Sequence, residues 1–206
     1  MIKDFANWAL KKSQIGIPFV VPFYSVQNKK GVFNMGLFFN KKKKEEVVEV
    51  AGVNEALVAI ADGKILPINE VPDPVFAEKM MGEGFAVEPT SDVIVAPIGG
   101  TLVQVADTLH AYGIQAESGV EVLIHVGLDT VALQGKGFDA QVKVGDVVKK
   151  GGPLVKIDRE FLIANAPSII TPVIVTNGNI ESYNYDFKGS GEAVAGETVA
   201  MVVSKA

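Results

Sequence analysis

The chain has few of the side chains that ordinarily build reactive sites. Its 206 residues include no cysteine and only two histidines, His110 and His125. The absence of cysteine excludes a disulfide scaffold and thiolate metal sites, and it is typical of proteins from a reducing cytoplasm. We therefore expect a cytoplasmic protein whose chemistry depends on imidazole and carboxylate groups.

Long hydrophobic runs are missing as well. The longest candidate, residues 15–23, contains two prolines and is far shorter than the ~20 residues of a membrane-spanning helix. The formal net charge is −5 although residues 1–34 hold five lysines and one aspartate, so the rest of the chain is strongly acidic. Such a body argues against nucleic acid and favours basic proteins or cations as partners.

The beginning of the chain differs in style from the remainder. Residues 29–32, Lys-Lys-Gly-Val, can be encoded by AAA AAA GGA GTG, which contains a ribosome-binding sequence shortly before Met35. We hypothesise that translation starts at Met35 and that residues 1–34 are a non-native upstream extension; a disordered leader is the alternative. Residues 35–46 form a short tail, apolar and then basic, which suits either peripheral contact with an anionic membrane or a solvated leader.

From about residue 47 onward, glycine punctuates short apolar runs. Residues 58–65 and 95–102 share the pattern Val-Ala-x-x-x-Gly-x-(Ile/Leu), and residues 143–148 resemble residues 193–199. Duplicated strand–glycine–strand units with little helical periodicity predict a single all-β domain, an antiparallel β-sandwich or barrel.

Two short helical turns interrupt the predicted strands. We expect one over Pro74–Met81 and another over Arg159–Ala166, where Asp158 is a suitable N-cap. Neither is long enough to change the fold class.

His125 ends an alternating run in which Glu121 and Leu123 share its face of a strand. An imidazole among apolar neighbours stays neutral because desolvation disfavours the cation. A neutral, partly exposed imidazole is a competent nucleophile towards phosphorus. The alternative is a purely structural histidine whose ring nitrogens are satisfied by hydrogen bonds.

The second histidine lies fifteen residues earlier, so an antiparallel turn can bring the two rings face to face. Because Thr108 lies two residues before His110, we expect its hydroxyl to point to the same side of a strand, where it can bond one ring nitrogen and fix the tautomer. If His125 holds a phosphoryl group, His110 becomes a donor to its oxygens, because phosphoryl transfer depends on positioning and electrostatic stabilisation.

Several stretches together resemble the glucose-type enzyme IIA component of the bacterial phosphoenolpyruvate-dependent sugar phosphotransferase system. The resemblance covers roughly residues 45–206, and Met35–Phe38 is similar to the start of free-standing members. The stretches are Glu70–Lys79, Ala96–Thr101, His110–Tyr112, Gly119–Val131 and Lys143–Asp146.

The resemblance implies that residues 47–206 are an enzyme IIA glucose-type domain, a β-sandwich with phosphotransferase activity. In the family, the residue matching His125 accepts phosphate from the histidine-containing phosphocarrier protein. It then passes the phosphate to a cysteine on the IIB domain of a membrane sugar permease. The second active-site histidine matches His110, and the threonine that orients it matches Thr108. No cofactor is required.

The resemblance also implies a partner-binding surface. Family carboxylates that meet partner arginines match Asp73 and Asp129, and an apolar collar matches Phe76 and Val131. The chain departs from close relatives at two collar positions, Ala106 and Leu123, where phenylalanine is frequent, and this departure affects the expected partner preference. Which sugar the permease takes is not specified by these residues.

Three alternative functions have some support in the sequence. A regulatory module of the same fold would bind permeases or kinases under the control of phosphorylation, or of zinc shared by His110, His125 and a partner carboxylate. A zinc hydrolase is disfavoured because such sites normally need three protein ligands. A swinging-arm carrier is suggested by residues 142–151, which resemble lipoyl and biotinyl domains, but no lysine occupies the hairpin position that those domains modify.

Overall fold

The computed structural model describes residues 54–178 and 181–206. The hypotheses about residues 1–34, the start at Met35 and the tail over 35–46 fall outside these ranges. The strands are β1 (Asn54–Val58), β2 (Gly63–Pro67), β3 (Glu83–Pro89), β4 (Val93–Val95), β5 (Gly100–Val105), β6 (Ala111–Gln115), β7 (Glu121–His125), β8 (Phe138–Ala140), β9 (Val147–Val148), β10 (Pro153–Ile157), β11 (Thr171–Val175), β12 (Tyr183–Phe187), β13 (Gly191–Ala193) and β14 (Val199–Lys205).

These strands form three sheets. The largest has eight strands in the order β13-β2-β3-β11-β7-β6-β5-β9, and two sheets of three strands have the orders β1-β14-β12 and β4-β10-β8. All strand pairings within these sheets are antiparallel. The predicted all-β, antiparallel fold is therefore confirmed.

The repeated glycines have a steric reason. Gly63 and Gly100 occupy equivalent places in the repeat, and each begins a strand. A Cβ atom on Gly63 would lie 2.1 Å from the carbonyl oxygen of Glu88, and one on Gly100 would lie 2.3 Å from that of Gln115. Only glycine allows the neighbouring strand to approach this closely.

The described ranges contain two short α-helices, α1 (Pro74–Ala77) and α2 (Arg159–Asn165), and two 3-10 helices, Ile68–Glu70 and Thr130–Leu133. The N-cap Asp158 accepts a hydrogen bond from the Phe161 amide at 2.9 Å, as the sequence predicts. Helix α1 is shorter than predicted. Its continuation to Met81 is blocked because Lys79 adopts a left-handed conformation with φ of 56°, which ends the helix.

Alternation along the central strands divides the apolar side chains between two faces. Phe85 and Val87 of β3 belong to the main core, whereas Ala86 between them belongs to a second, smaller apolar cluster. This cluster also contains Phe76 of α1 and Ile174 of β11. Since successive side chains of a strand point to opposite faces, the cluster fixes α1 on the outer face of the eight-stranded sheet.

Candidate functional site

The two histidines are brought together by adjacent strands of the large sheet, β7 and β6. His125 is the last residue of β7 and pairs with Ala111 of β6, so His110 lies just before the neighbouring strand. The Val126 amide donates to the His110 carbonyl at 2.7 Å. The ring centroids are consequently 5.0 Å apart, with an interplanar angle of 75°.

One nitrogen of the His125 ring is held by the backbone. Nδ1 lies 2.7 Å from the carbonyl oxygen of Gly127. A carbonyl can only accept, so Nδ1 must carry the proton. Gly127 reaches this position through a left-handed φ of 71°. In the neutral ring, Nε2 is therefore the nitrogen with a free lone pair.

A threonine hydroxyl binds the corresponding nitrogen of His110. Thr108 Oγ1 lies 2.6 Å from His110 Nδ1. The residues between β5 and β6 form a turn rather than the strand that we expected around Thr108, and Leu109 has a φ of 57° there. If the hydroxyl donates to Nδ1, then Nε2 of His110 carries the proton and becomes a hydrogen-bond donor.

Both rings are neutral near neutral pH. Burial lowers the pKa of His125, and the opposing effects of the Gly127 carbonyl, Asp73 and Asp129 are smaller. Burial, and then repulsion from His125, lower the pKa of His110 from 6.5 to about 4. A neutral ring retains the lone pair that a nucleophile needs, so this environment favours nucleophilic chemistry.

Three of the remaining predicted residues, Asp73, Phe76 and Asp129, lie close to His125, and Val131 follows Asp129 in the sequence. Asp73 caps α1 by accepting from the Val75 amide at 2.8 Å, and Phe76 of that helix packs against the His125 ring at a centroid distance of 5.3 Å. Asp129 follows β7 with a φ of 57° and is half-buried, and Val131 is 43% exposed. Phe76 therefore contacts the His125 ring, the charges of Asp73 and Asp129 act on it, and Val131 is an exposed apolar side chain two residues after Asp129.

Leu123 and Ala106 occupy the two positions of the apolar collar at which the resemblance led us to expect phenylalanine. Leu123 lies two residues before His125 on the same face of β7 and is buried, and its partner across the strand pair is Gly113. Ala106 is half-buried at the start of the turn that leads to His110. Both side chains are apolar, so they affect the site only through their size.

Sequence reasoning did not identify two residues that support the site. Thr130 and Thr171 are both buried and both bond to the backbone beside Gly127. Thr171 lies on β11, far along the chain from the histidine motif. Nothing in the spacing of the sequence could have linked it to His125.

Residues 54–178 and 181–206 contain neither a cluster of metal ligands nor a membrane-spanning helix. No group of three or more histidine, cysteine, aspartate or glutamate side chains there could hold a metal ion. No helix in these ranges is long and apolar enough to cross a membrane.

Comparisons with known proteins identify a matching family and several similar proteins. Residues 55–180 match the family described as phosphoenolpyruvate-dependent sugar phosphotransferase system, EIIA 1. The glucose-specific EIIA component of the phosphotransferase system of Staphylococcus epidermidis is 44% identical over 151 residues, which cover 73% of this chain and 90% of that protein. The corresponding Bacillus cereus protein is 50% identical over 123 residues, covering 60% of this chain and 74% of the relative.

A solved structure extends the comparison to the fold. Glucose permease IIA from Mycoplasma capricolum superposes with a TM-score of 0.67 at 40% sequence identity. The match covers 81% of this chain and 99% of that one.

Proposed function

The chain belongs to the EIIA 1 family of the phosphoenolpyruvate-dependent sugar phosphotransferase system, and we propose that His125 is the residue through which it receives and passes on the phosphoryl group. As a member of that family it is a phosphotransferase component of sugar uptake. The observation that carries the proposal is the bond between His125 Nδ1 and the Gly127 carbonyl at 2.7 Å. It leaves Nε2 as the only ring nitrogen available for attack.

The proposed transfer is a balanced exchange of N–P and S–P bonds. The lone pair of His125 Nε2 forms a bond to phosphorus as the N–P bond of the donor phosphohistidine breaks, and the donor nitrogen keeps that electron pair. In the onward step a cysteine thiolate of the acceptor forms an S–P bond, and Nε2 recovers its lone pair. Nδ1 keeps its proton throughout, and the Gly127 carbonyl stabilises the charge of the phosphorylated ring.

His110 is the proposed stabiliser of the phosphoryl oxygens. With Thr108 donating to Nδ1, the Nε2–H group of His110 is available to donate. Its ring centroid lies 5.0 Å from that of His125, which is close enough for hydrogen bonding to a group attached to the second ring. Positioned donors of this kind lower the barrier of phosphoryl transfer.

The proposed partners follow from the surface around the rings. Val131 provides exposed apolar surface, Phe76 supports the His125 ring but is itself only 5% exposed, and Asp73 and Asp129 provide negative charge, a combination that suits basic partners. We assign the donor to the histidine-containing phosphocarrier protein and the acceptor to the IIB domain of a sugar permease. The relatives are glucose-specific by name, and glucose is the sugar that we propose. Both exchanges would take place in the cytoplasm.

A direct test uses labelled phosphoenolpyruvate with enzyme I and the phosphocarrier protein. Wild type and His110→Gln should acquire an acid-labile label, whereas His125→Ala should not. Only the wild type should pass the label to a IIB domain. Labelling of His125→Ala, or normal onward transfer by His110→Gln, would contradict the corresponding assignment.

A shared zinc ion is a second candidate for the same surface. The histidine pair offers two Nε2 ligands when Thr108 Oγ1 accepts a hydrogen bond from His110 Nδ1, the tautomer opposite to that proposed for phosphoryl transfer, because Nδ1 of His125 already donates to Gly127. A tetrahedral zinc site needs four ligands, and the described residues supply no third one. A carboxylate of a regulated partner would complete the site. We therefore expect zinc to raise the affinity of such a partner and to bind the isolated chain weakly, as titration calorimetry would measure.

A further inference from the structure

Two threonines hold one peptide group beside the His125 ring. Within residues 54–178 and 181–206, Thr130 and Thr171 are the only buried residues with polar side chains besides Tyr112, each with 0% exposure. Thr130 Oγ1 donates to the Val126 carbonyl at 2.6 Å. The Gly127 amide donates to Thr171 Oγ1 at 3.3 Å. The Val126 carbonyl and the Gly127 amide belong to the same peptide group, so both of its polar atoms are held by threonine hydroxyls.

Thr171 is itself fixed in orientation. Its hydroxyl donates to the Ile169 carbonyl at 3.0 Å, which directs a lone pair towards the Gly127 amide. Thr171 also begins β11, and that strand pairs with β7. The hydroxyl therefore transmits the position of one central strand to the loop that follows another.

The next peptide group contains the oxygen that orients His125. The Gly127 carbonyl accepts from His125 Nδ1 at 2.7 Å, and the Leu128 amide donates to the Ser168 carbonyl at 2.8 Å. Because peptide groups are planar, only the φ and ψ angles of Gly127 connect this group to the preceding one. Glycine has the least restricted of these angles, so without the bonds to the Val126–Gly127 peptide the carbonyl would be held only from its other side, by the Leu128–Ser168 bond, and could tilt away from the ring.

Steric contact also limits this glycine. A Cβ atom at position 127 would lie 2.6 Å from Thr130 Cγ2. The methyl group of Thr130 therefore occupies the space beside Gly127 while its hydroxyl holds the preceding carbonyl.

We propose that Thr130 and Thr171 are positioning residues for phosphoryl acceptance, together called the threonine clamp. By fixing the Val126–Gly127 peptide they hold the Gly127 carbonyl against His125 Nδ1 and keep Nε2 unprotonated. Neutral histidine in water favours the opposite tautomer, so the clamp opposes an intrinsic preference. This inference rests on the proposed role of His125 as the phosphoryl acceptor.

The test substitutes each hydroxyl by a methyl group of similar volume. Thr130→Val and Thr171→Val should shift part of the His125 population to the Nε2–H tautomer, as ¹⁵N NMR of labelled histidine would show at a pH where both rings are neutral. The rate of phosphoryl acceptance should fall by about tenfold, typical of losing a group that orients a reactive ligand. Thr130→Ser and Thr171→Ser should restore both the tautomer and the rate.

Thr176→Val is the matched control. Thr176 Oγ1 bonds the Glu121 carbonyl at 3.5 Å, at the opposite end of β7 from His125. Its loss should leave the tautomer and the rate unchanged. If the clamp variants lose stability but keep the wild-type tautomer and rate, the threonines are structural and the inference is wrong.

A measurement on the wild type keeps the inference testable if a valine variant does not fold. The Gly127 amide should exchange slowly with solvent deuterium, although it lies in a loop, and rapid exchange would refute the clamp. Failure of the proposed function is separable from this result. A wild type that accepts no phosphate would refute the role of His125, whereas tautomer and exchange measurements report on the clamp alone.

Discussion

Mild acid should destabilise the folded protein through His110. Burial, and then the neighbouring His125, lower the His110 pKa from 6.5 to about 4. The unfolded chain retains the ordinary value, so between these two pH values it binds more protons than the folded protein. The free energy of unfolding must then fall as the pH falls.

The size of the effect follows from the two pKa values. Single-site linkage predicts that His110 contributes a loss of about 2 kcal/mol at pH 5, and about 3 kcal/mol below pH 4, relative to pH 8. These losses are a substantial fraction of the roughly 5–15 kcal/mol stability of typical domains. Above about pH 7 the contribution disappears, because His110 is neutral in both states.

His110→Gln isolates this contribution, because glutamine does not titrate. Urea unfolding followed by far-ultraviolet circular dichroism at pH 8, 6 and 5 would give the free energies of both proteins. The wild type should lose stability relative to the variant as the pH falls, by the amount given above. A difference that stays constant from pH 8 to pH 5, or an NMR titration of His110 with its midpoint near 6.5, would refute the reasoning.

Two further predictions concern docking and the core. Asp129→Asn should weaken binding of the phosphocarrier protein several-fold, with the largest effect at low salt. Asparagine tolerates the φ of 57° at this position, so the substitution removes only the charge. An equal loss of affinity in the control variant Glu160→Gln, on α2, would show that Asp129 is not part of the interface. Tyr112→Phe should raise the free energy of unfolding by about 1 kcal/mol, because the Tyr112 hydroxyl is buried and has no hydrogen-bond partner in the described residues. A loss of stability, measured by denaturant unfolding, would show that the hydroxyl has a partner.

Much of the fold could be predicted from the sequence because its signals are local. The apolar run that ends at His125 predicts a strand, and the recurring glycines predict its neighbours. Gly63 and Gly100 recur because the same close strand contact occurs twice. The histidine pair was accessible to sequence reasoning for a related reason, since a tight turn places residues fifteen apart opposite each other.

The supporting structure of the site could not be predicted in this way. Thr171 is 44 residues from Gly127, and only the pairing of β11 with β7 brings the two together. The left-handed Leu109 was also unexpected, because leucine rarely adopts this conformation. That turn places the Thr108 hydroxyl on His110 without the strand geometry that the spacing suggested.

The most direct test of the central claim is to locate the phosphoryl group atom by atom. Protein with ¹⁵N-labelled histidine would be phosphorylated by the phosphocarrier protein and examined for ³¹P–¹⁵N coupling. The account predicts coupling to Nε2 of His125 alone, with the proton retained on Nδ1. Coupling to Nδ1 or to His110, or no phosphohistidine while a control acceptor is loaded by the same donor, would contradict it.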